Sequence, residues 1–177
     1  MILDALLQFD AAINLAQVAG TYASTNIIDL GGPAIPALAS GQGARDIGIG
    51  DDPTMKLLVQ VTTTFTSGGA GTLSVSLQGS ADNGSGTPLS FATWYTTPAY
   101  ALATLVQGAR LMDMDMPRPP DGIPIPRFLR LSYVIGTATM TAGIVEAFLM
   151  GDRMDQYYTG TNNAVMGGYP PGITVAN

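Results

Sequence analysis

The stretch Met55-Lys56-Leu57-Leu58-Val59-Gln60-Val61-Thr62-Thr63-Thr64-Phe65 decides the fold class. Met55, Leu57, Val59, Val61 and Phe65 fall on one face. Gln60, Thr62, Thr64 and Thr66 fall on the other, with Leu58 the exception. An apolar period of two residues is that of a strand with one buried face. Ser67-Gly68-Gly69-Ala70-Gly71 then turns the chain. Thr72 to Gln78 alternates again, with Leu73, Val75 and Leu77 inward and Ser74, Ser76 and Gln78 outward. The two strands are expected to be neighbours joined by a glycine-rich hairpin loop.

The same texture extends in both directions. Upstream, Leu3 to Leu7 is the best helical candidate, a turn or two long. Gln8 to Ala19 alternates loosely and reads as extended, and Thr25 to Leu30 is a short apolar run ended by Gly31-Gly32-Pro33. Downstream, Asp82-Asn83-Gly84-Ser85-Gly86 is a loop, and Ser90 to Tyr95 reads as a strand holding Phe91 and Trp94. Ala101 to Val106 is short and apolar. Gly108 to Met116 alternates, with Met112, Met114 and Met116 on one face and Leu111, Asp113 and Asp115 on the other. Pro117 to Pro126 is expected to run extended across the surface. Arg127 to Val134 places Leu129, Leu131 and Tyr133 on one face and Phe128, Arg130 and Ser132 on the other. Gly136 turns the chain towards Thr137 to Thr141, and Ile144 to Met150 closes the regular part.

Short strands at regular spacing, with Gly/Pro turns between them, predict an all-β sandwich or barrel. About eight strands suit a jelly-roll-type antiparallel sandwich. One domain over residues 1–152 follows, its N-terminal segment partly extended. Residues 153–177 lose the periodicity and are rich in Gly, Tyr, Asn and Pro, so they read as an extended C-terminal tail. Its aromatic content favours a tail laid on another surface over a disordered one.

Composition narrows the function classes. The chain has 177 residues, enough for one substantial core. It is 46% hydrophobic but only 11% charged, against about 25% charged in an ordinary soluble domain. Mean hydropathy is +0.26, yet no apolar run approaches the roughly 18 residues of a membrane helix. Such a chain is expected to hide much of its surface against other chains. With 0 His, imidazole metal sites and Ser-His-Asp chemistry are excluded. With 0 Cys, so are thiol nucleophiles, zinc knuckles, Fe–S clusters and disulfides. A net charge of −6 argues against a nucleic-acid partner, which needs a basic footprint. The N-terminus has no basic segment and carries Asp4 inside its apolar run, so no signal peptide is expected.

The remaining polar clusters are weak as sites. Asp51-Asp52-Pro53 and Asp82-Asn83-Gly84-Ser85-Gly86 read as turns, the second lacking the terminal Glu of a calcium loop. Gly41-Gln42-Gly43 and the glycines around Gly68 lack the Gly-Lys-Ser/Thr of a phosphate loop. Lys56, the only Lys, lies at a strand start and is a poor Schiff-base candidate. Asp113 and Asp115 share a strand face at roughly 7 Å, a spacing used by glycosidase pairs. A solvated or partner-facing strand is the simpler reading, with the only Glu of the chain, Glu146, far away in sequence. Arg127 and Arg130, on a late strand, could pair with acidic residues of this chain or of a partner, with pairing inside the chain or plain exposure the simpler reading. The methionine row is either core or an adaptable contact surface. Trp94, Tyr95 and Tyr100 offer a lectin-like stacking platform or an aromatic part of the core. No catalytic, cofactor or metal site is expected. Asp113, Asp115, Tyr157, Tyr158 and Tyr169 are the candidate partner contacts.

The sequence also resembles the jelly-roll capsid cement (decoration) proteins of tailed bacteriophages. The resemblance runs in order through Met1 to Asp4, Ser24 to Gly31, Asp46 to Pro53 and Leu73 to Gln78. It continues through Ala103 to Val106, Arg127 to Tyr133, Thr141 to Gly143 and the end of the Ile144 to Met150 strand. It implies a structural virion protein, assembled in the host cytoplasm and carried on the outer capsid surface. The implied partners are the major capsid protein and other copies of itself, as a dimer or trimer, with no nucleic acid or membrane. Pro117 to Pro126 looks expanded against the family pattern, and 153–177 looks added.

Overall fold

The computed structural model describes residues 5–31, 55–119, 121 and 126–150. A short 3-10 turn, Ala5–Leu7, leads into β1 (Gln8–Asn14), β2 (Gly20–Ala23) and β3 (Ile28–Asp29). Then come β4 (Lys56–Ser67), β5 (Thr72–Ser80), β6 (Ala92–Thr96) and β7 (Tyr100–Ala101). A second 3-10 turn, Leu102–Thr104, precedes β8 (Arg110–Asp115), β9 (Phe128–Gly136) and β10 (Met140–Met150).

The strands form two antiparallel sheets. The first has the order β1-β10-β4-β8. The second has the order β2-β9-β5-β6, with β3 added to β9 and β7 to β5. Among the eight longer strands, every step but β5 to β6 changes sheet. That repeated crossing is jelly-roll connectivity. The inward faces meet in one core. Leu57, Val59, Val61 and Phe65 of β4 oppose Leu73, Val75 and Leu77 of β5, with Leu129, Leu131 and Tyr133 of β9 beside them. Each fully buried Leu or Val contributes about 1.5–3 kcal/mol by leaving water.

One expectation fails here. β4 and β5 are not hairpin partners: β4 pairs with β10 and β8, and β5 pairs with β9, β6 and β7. Ser67 to Gly71 carries the chain from one sheet to the other, and Gly136 to Met140 makes the same crossing beside it. Ser67 Oγ ties the two crossings together by donating to the Thr139 carbonyl at 2.7 Å. Alternation marks the buried face of a strand, and the inward faces of both sheets look alike. The loop also lacks the Asn-Gly or Asp-Gly dipeptide of a tight hairpin, and its residues span the ~10 Å between packed sheets.

Smaller differences have local causes. β2 was not anticipated: only four residues long, it is held by pairing Gly20–Ala23 with Ser132–Ile135. The strand expected over Thr25 to Leu30 shrinks to Ile28–Asp29, because the Asn26 N–H turns aside to the Phe9 carbonyl. Half of the short apolar run Ala101 to Val106 is a 3-10 turn, Leu102–Thr104. Leu58, the exception on β4, pairs across the sheet with Phe148, and with Met150 the two form a separate buried cluster. The boundary at residue 152, the tail 153–177 and Asp51-Asp52-Pro53 lie outside the described residues.

Candidate interaction surface

The acidic pair of β8 lies where the alternation puts it. Asp113 and Asp115 are exposed, while Met112 and Met116 are buried and Met114 packs against the core. The methionine row is therefore core filling, not a contact surface. Each carboxylate has a cation. Arg110 Nη1 donates to Asp113 Oδ2 at 3.2 Å, and Lys56 Nζ donates to Asp115 Oδ1 at 2.6 Å. Such exposed pairs contribute only about 0.2–1 kcal/mol each. Glu146, half-buried on β10, has its carboxyl pushed above the ordinary range by desolvation. Among the described residues, no three His, Cys, Asp or Glu side chains gather as metal ligands. Tyr157, Tyr158 and Tyr169 lie outside the described residues.

The aromatic trio does not form a platform. Trp94 is 9% exposed and joins the core. Its indole lies against Gly79, where a Cβ would come within 2.6 Å of the ring. Its Nε1–H has no hydrogen-bond partner. Tyr100 is half-buried and donates its hydroxyl to the Leu111 carbonyl at 2.9 Å. Only Tyr95 is well exposed.

Arg127 pairs within the chain. Nε and Nη2 grip Asp29 at 2.8 and 2.9 Å, and Nη1 reaches Asp82 at 2.6 Å. The hydrogen bond to Asp29 is the main cause of a guanidinium pKa raised still further. Asp82 accepts the Gly84 and Gly86 N–H groups through its other oxygen, and the Ser85 N–H goes to Asn83. The Asp82 to Gly86 segment is thus the turn its composition predicts. Desolvation is the largest single influence on Asp82 and pushes it up. The Gly86 N–H, Arg127 and the Gly84 N–H together outweigh it and hold the carboxyl below its ordinary value.

Two arrangements were not legible beforehand. Asp10, fully buried on β1, accepts the Tyr133 hydroxyl of β9 at 2.7 Å and the Thr25 N–H at 2.7 Å. This links the two sheets, and its only signal was an acidic residue inside the run Gln8-Phe9-Asp10-Ala11. Burial is the main reason why the Tyr133 phenol is pushed well above its usual pKa, with the Asp10 charge adding to it. The second arrangement surrounds Arg130. Its guanidinium stacks on Phe91 at 3.9 Å, and its Nε donates to Gln78 Oε1 at 2.8 Å. Gln78 in turn donates to Thr93 Oγ1 at 3.1 Å. Phe91 and Arg130 lie thirty-nine positions apart in sequence, so only sheet pairing brings them together.

No curated protein matches the chain. The sequence model of the Bbp16 family matches residues 14–149, nearly the whole span from β1 to β10. The chain therefore belongs to the Bbp16 family, a phage-associated family.

Proposed function

We propose that this protein is a capsid cement protein. It is a structural virion component without enzymatic activity, seated on the outer surface of the phage head and bridging neighbouring major capsid proteins. The family match over residues 14–149 carries the reading. The two-sheet sandwich and the cement-protein resemblance support it, as does a chain only 11% charged, suited to a surface covered by neighbours. Resistance to internal pressure needs contacts repeated over many copies. Each contact can be modest, because linked sites raise the effective concentration of one another. A net charge of −6 keeps such a protein from competing for the genome.

The test is co-sedimentation of the purified protein with expanded shells of its own major capsid protein. Saturable binding at a fixed copy ratio is expected, together with greater heat resistance of the decorated shell. Shells that neither bind the protein nor gain resistance would refute the reading. A glycan-binding role has lost its main support, since Trp94 is buried and the Tyr100 hydroxyl is engaged with the backbone.

A further inference from the structure

The outward face of the second sheet differs from every other charged region described above. Ser132, Ser76 and Thr96 lie side by side across β9, β5 and β6; Ser132 and Ser76 are buried, Thr96 is exposed, and Ser76 and Thr96 share a hydrogen bond at 2.9 Å. The next row is Arg130, Gln78 and Thr93. The hydroxyls in these rows are short and uncharged, and Arg130 is the only charge among them. Arg127 has two carboxylates, while Lys56 and Arg110 have one each. Among the described residues, no carboxylate lies within ion-pair distance of Arg130, and only its Nε is hydrogen-bonded.

The side chain is nevertheless held in place. Stacking on Phe91 fixes the guanidinium plane, and Gln78 fixes its rotation about Nε. A guanidinium held in this way presents its Nη groups as a fork that matches a carboxylate, with little side-chain entropy left to lose on binding. Arginine is also enriched among the few residues that carry most of the energy of an interface. A single cation on a chain of net charge −6 does not suit a polyphosphate, whose affinity grows with the number of phosphates neutralised. One face of Phe91 is covered by the guanidinium, so that face offers no stacking surface to a sugar.

We propose that this face of the second sheet is the docking surface for the major capsid protein, with Arg130 receiving a carboxylate of the partner beside the exposed Thr93 and Thr96. The inference rests on the cement reading and adds the face, the anchor and the chemistry of the partner. It is tested with the full chain and purified shells, comparing wild type with Arg130→Ala, Arg130→Lys and Thr96→Arg. Thr96 is exposed, so the longer side chain has room in the free protein. Thermal unfolding of each free variant verifies the fold.

Arg130→Ala is expected to weaken shell binding at least tenfold, and Arg130→Lys to fall between it and wild type. Thr96→Arg is expected to block binding by bulk while leaving Arg130 intact. If the wild-type protein does not bind shells, the cement reading itself fails. If wild type binds and both Arg130→Ala and Thr96→Arg bind equally well, that reading stands and the docking face is wrong. Binding to a glycan array that Arg130→Ala removes, with shell binding unchanged, would also overturn the assignment.

Discussion

Gly143 lies inside β10, where the register against β4 shifts. Its φ is +145°, a backbone conformation open to glycine and strained for other residues. A Cβ at this position would be driven into the ring of Phe65, which is 3% exposed and part of the core. Gly143→Ala therefore incurs two costs. Overpacking a filled core costs about 1–3 kcal/mol, and the backbone conformation costs about 1–3 kcal/mol more. The sum, about 2–6 kcal/mol, corresponds to a Tm lowered by roughly 5–20 °C for a chain of this size. Differential scanning calorimetry of the purified variant measures it. Two companions separate the costs. Gly84→Ala has φ +90° but open space at its Cβ, so it bears only the backbone cost. Phe65→Leu combined with Gly143→Ala should recover the steric cost relative to Phe65→Leu alone. A Gly143→Ala protein melting within a degree of wild type would refute both the contact with Phe65 and the conformational argument.

Tyr133→Phe removes one of the donors to buried Asp10, and chemical denaturation should show a loss of about 1–3 kcal/mol. The folded pKa of Tyr133 lies above its unfolded value near 10, so its stability contribution is intact below that pH and falls as pH rises past it. Wild type should then show an alkaline loss of stability beginning near pH 10, and Tyr133→Phe should reduce that slope. The raised pKa of Glu146 has the same sign in a lower window: its own contribution is fully present in acid and is lost as the carboxyl ionises. Glu146→Gln should be at least as stable as wild type at pH 7 and should flatten the pH dependence just above the ordinary carboxylate range, as read by melting curves across pH. Arg127→Lys loses the two-pronged grip on Asp29 together with the reach to Asp82. Its melting temperature should fall further than that of Lys56→Ala, which removes one exposed pair.

How much of this was legible beforehand varied with the range of the interaction. The buried faces of β4, β5 and β9 follow from alternation, because side chains on a strand point to opposite faces in turn. The buried position of Met112 and Met116 and the exposure of Asp113 and Asp115 follow from the same rule. The rule falters for outward residues that neighbours cover. Ser76, Ser132 and Phe128 all alternate outward yet are buried. It also misjudges short strands such as β2, whose four residues are extended because β9 offers a partner. The turn at Asp82 was readable from its own residues. That its carboxylate also holds Arg127, forty-five positions away, was not.

By itself, then, the sequence determined an all-β chain, the inward side of its longer strands, and the absence of the histidines and cysteines on which many enzymes depend. Only the tertiary structure decided which strands pair. It sent β4 and β5 to opposite sheets, placed Tyr133 on Asp10, and set the Arg130 guanidinium on Phe91 without a carboxylate among the described residues. The reason is physical. Alternation is written locally, in a period of two residues, whereas the choice of partner depends on contacts between segments far apart in the chain, made by faces that locally look the same.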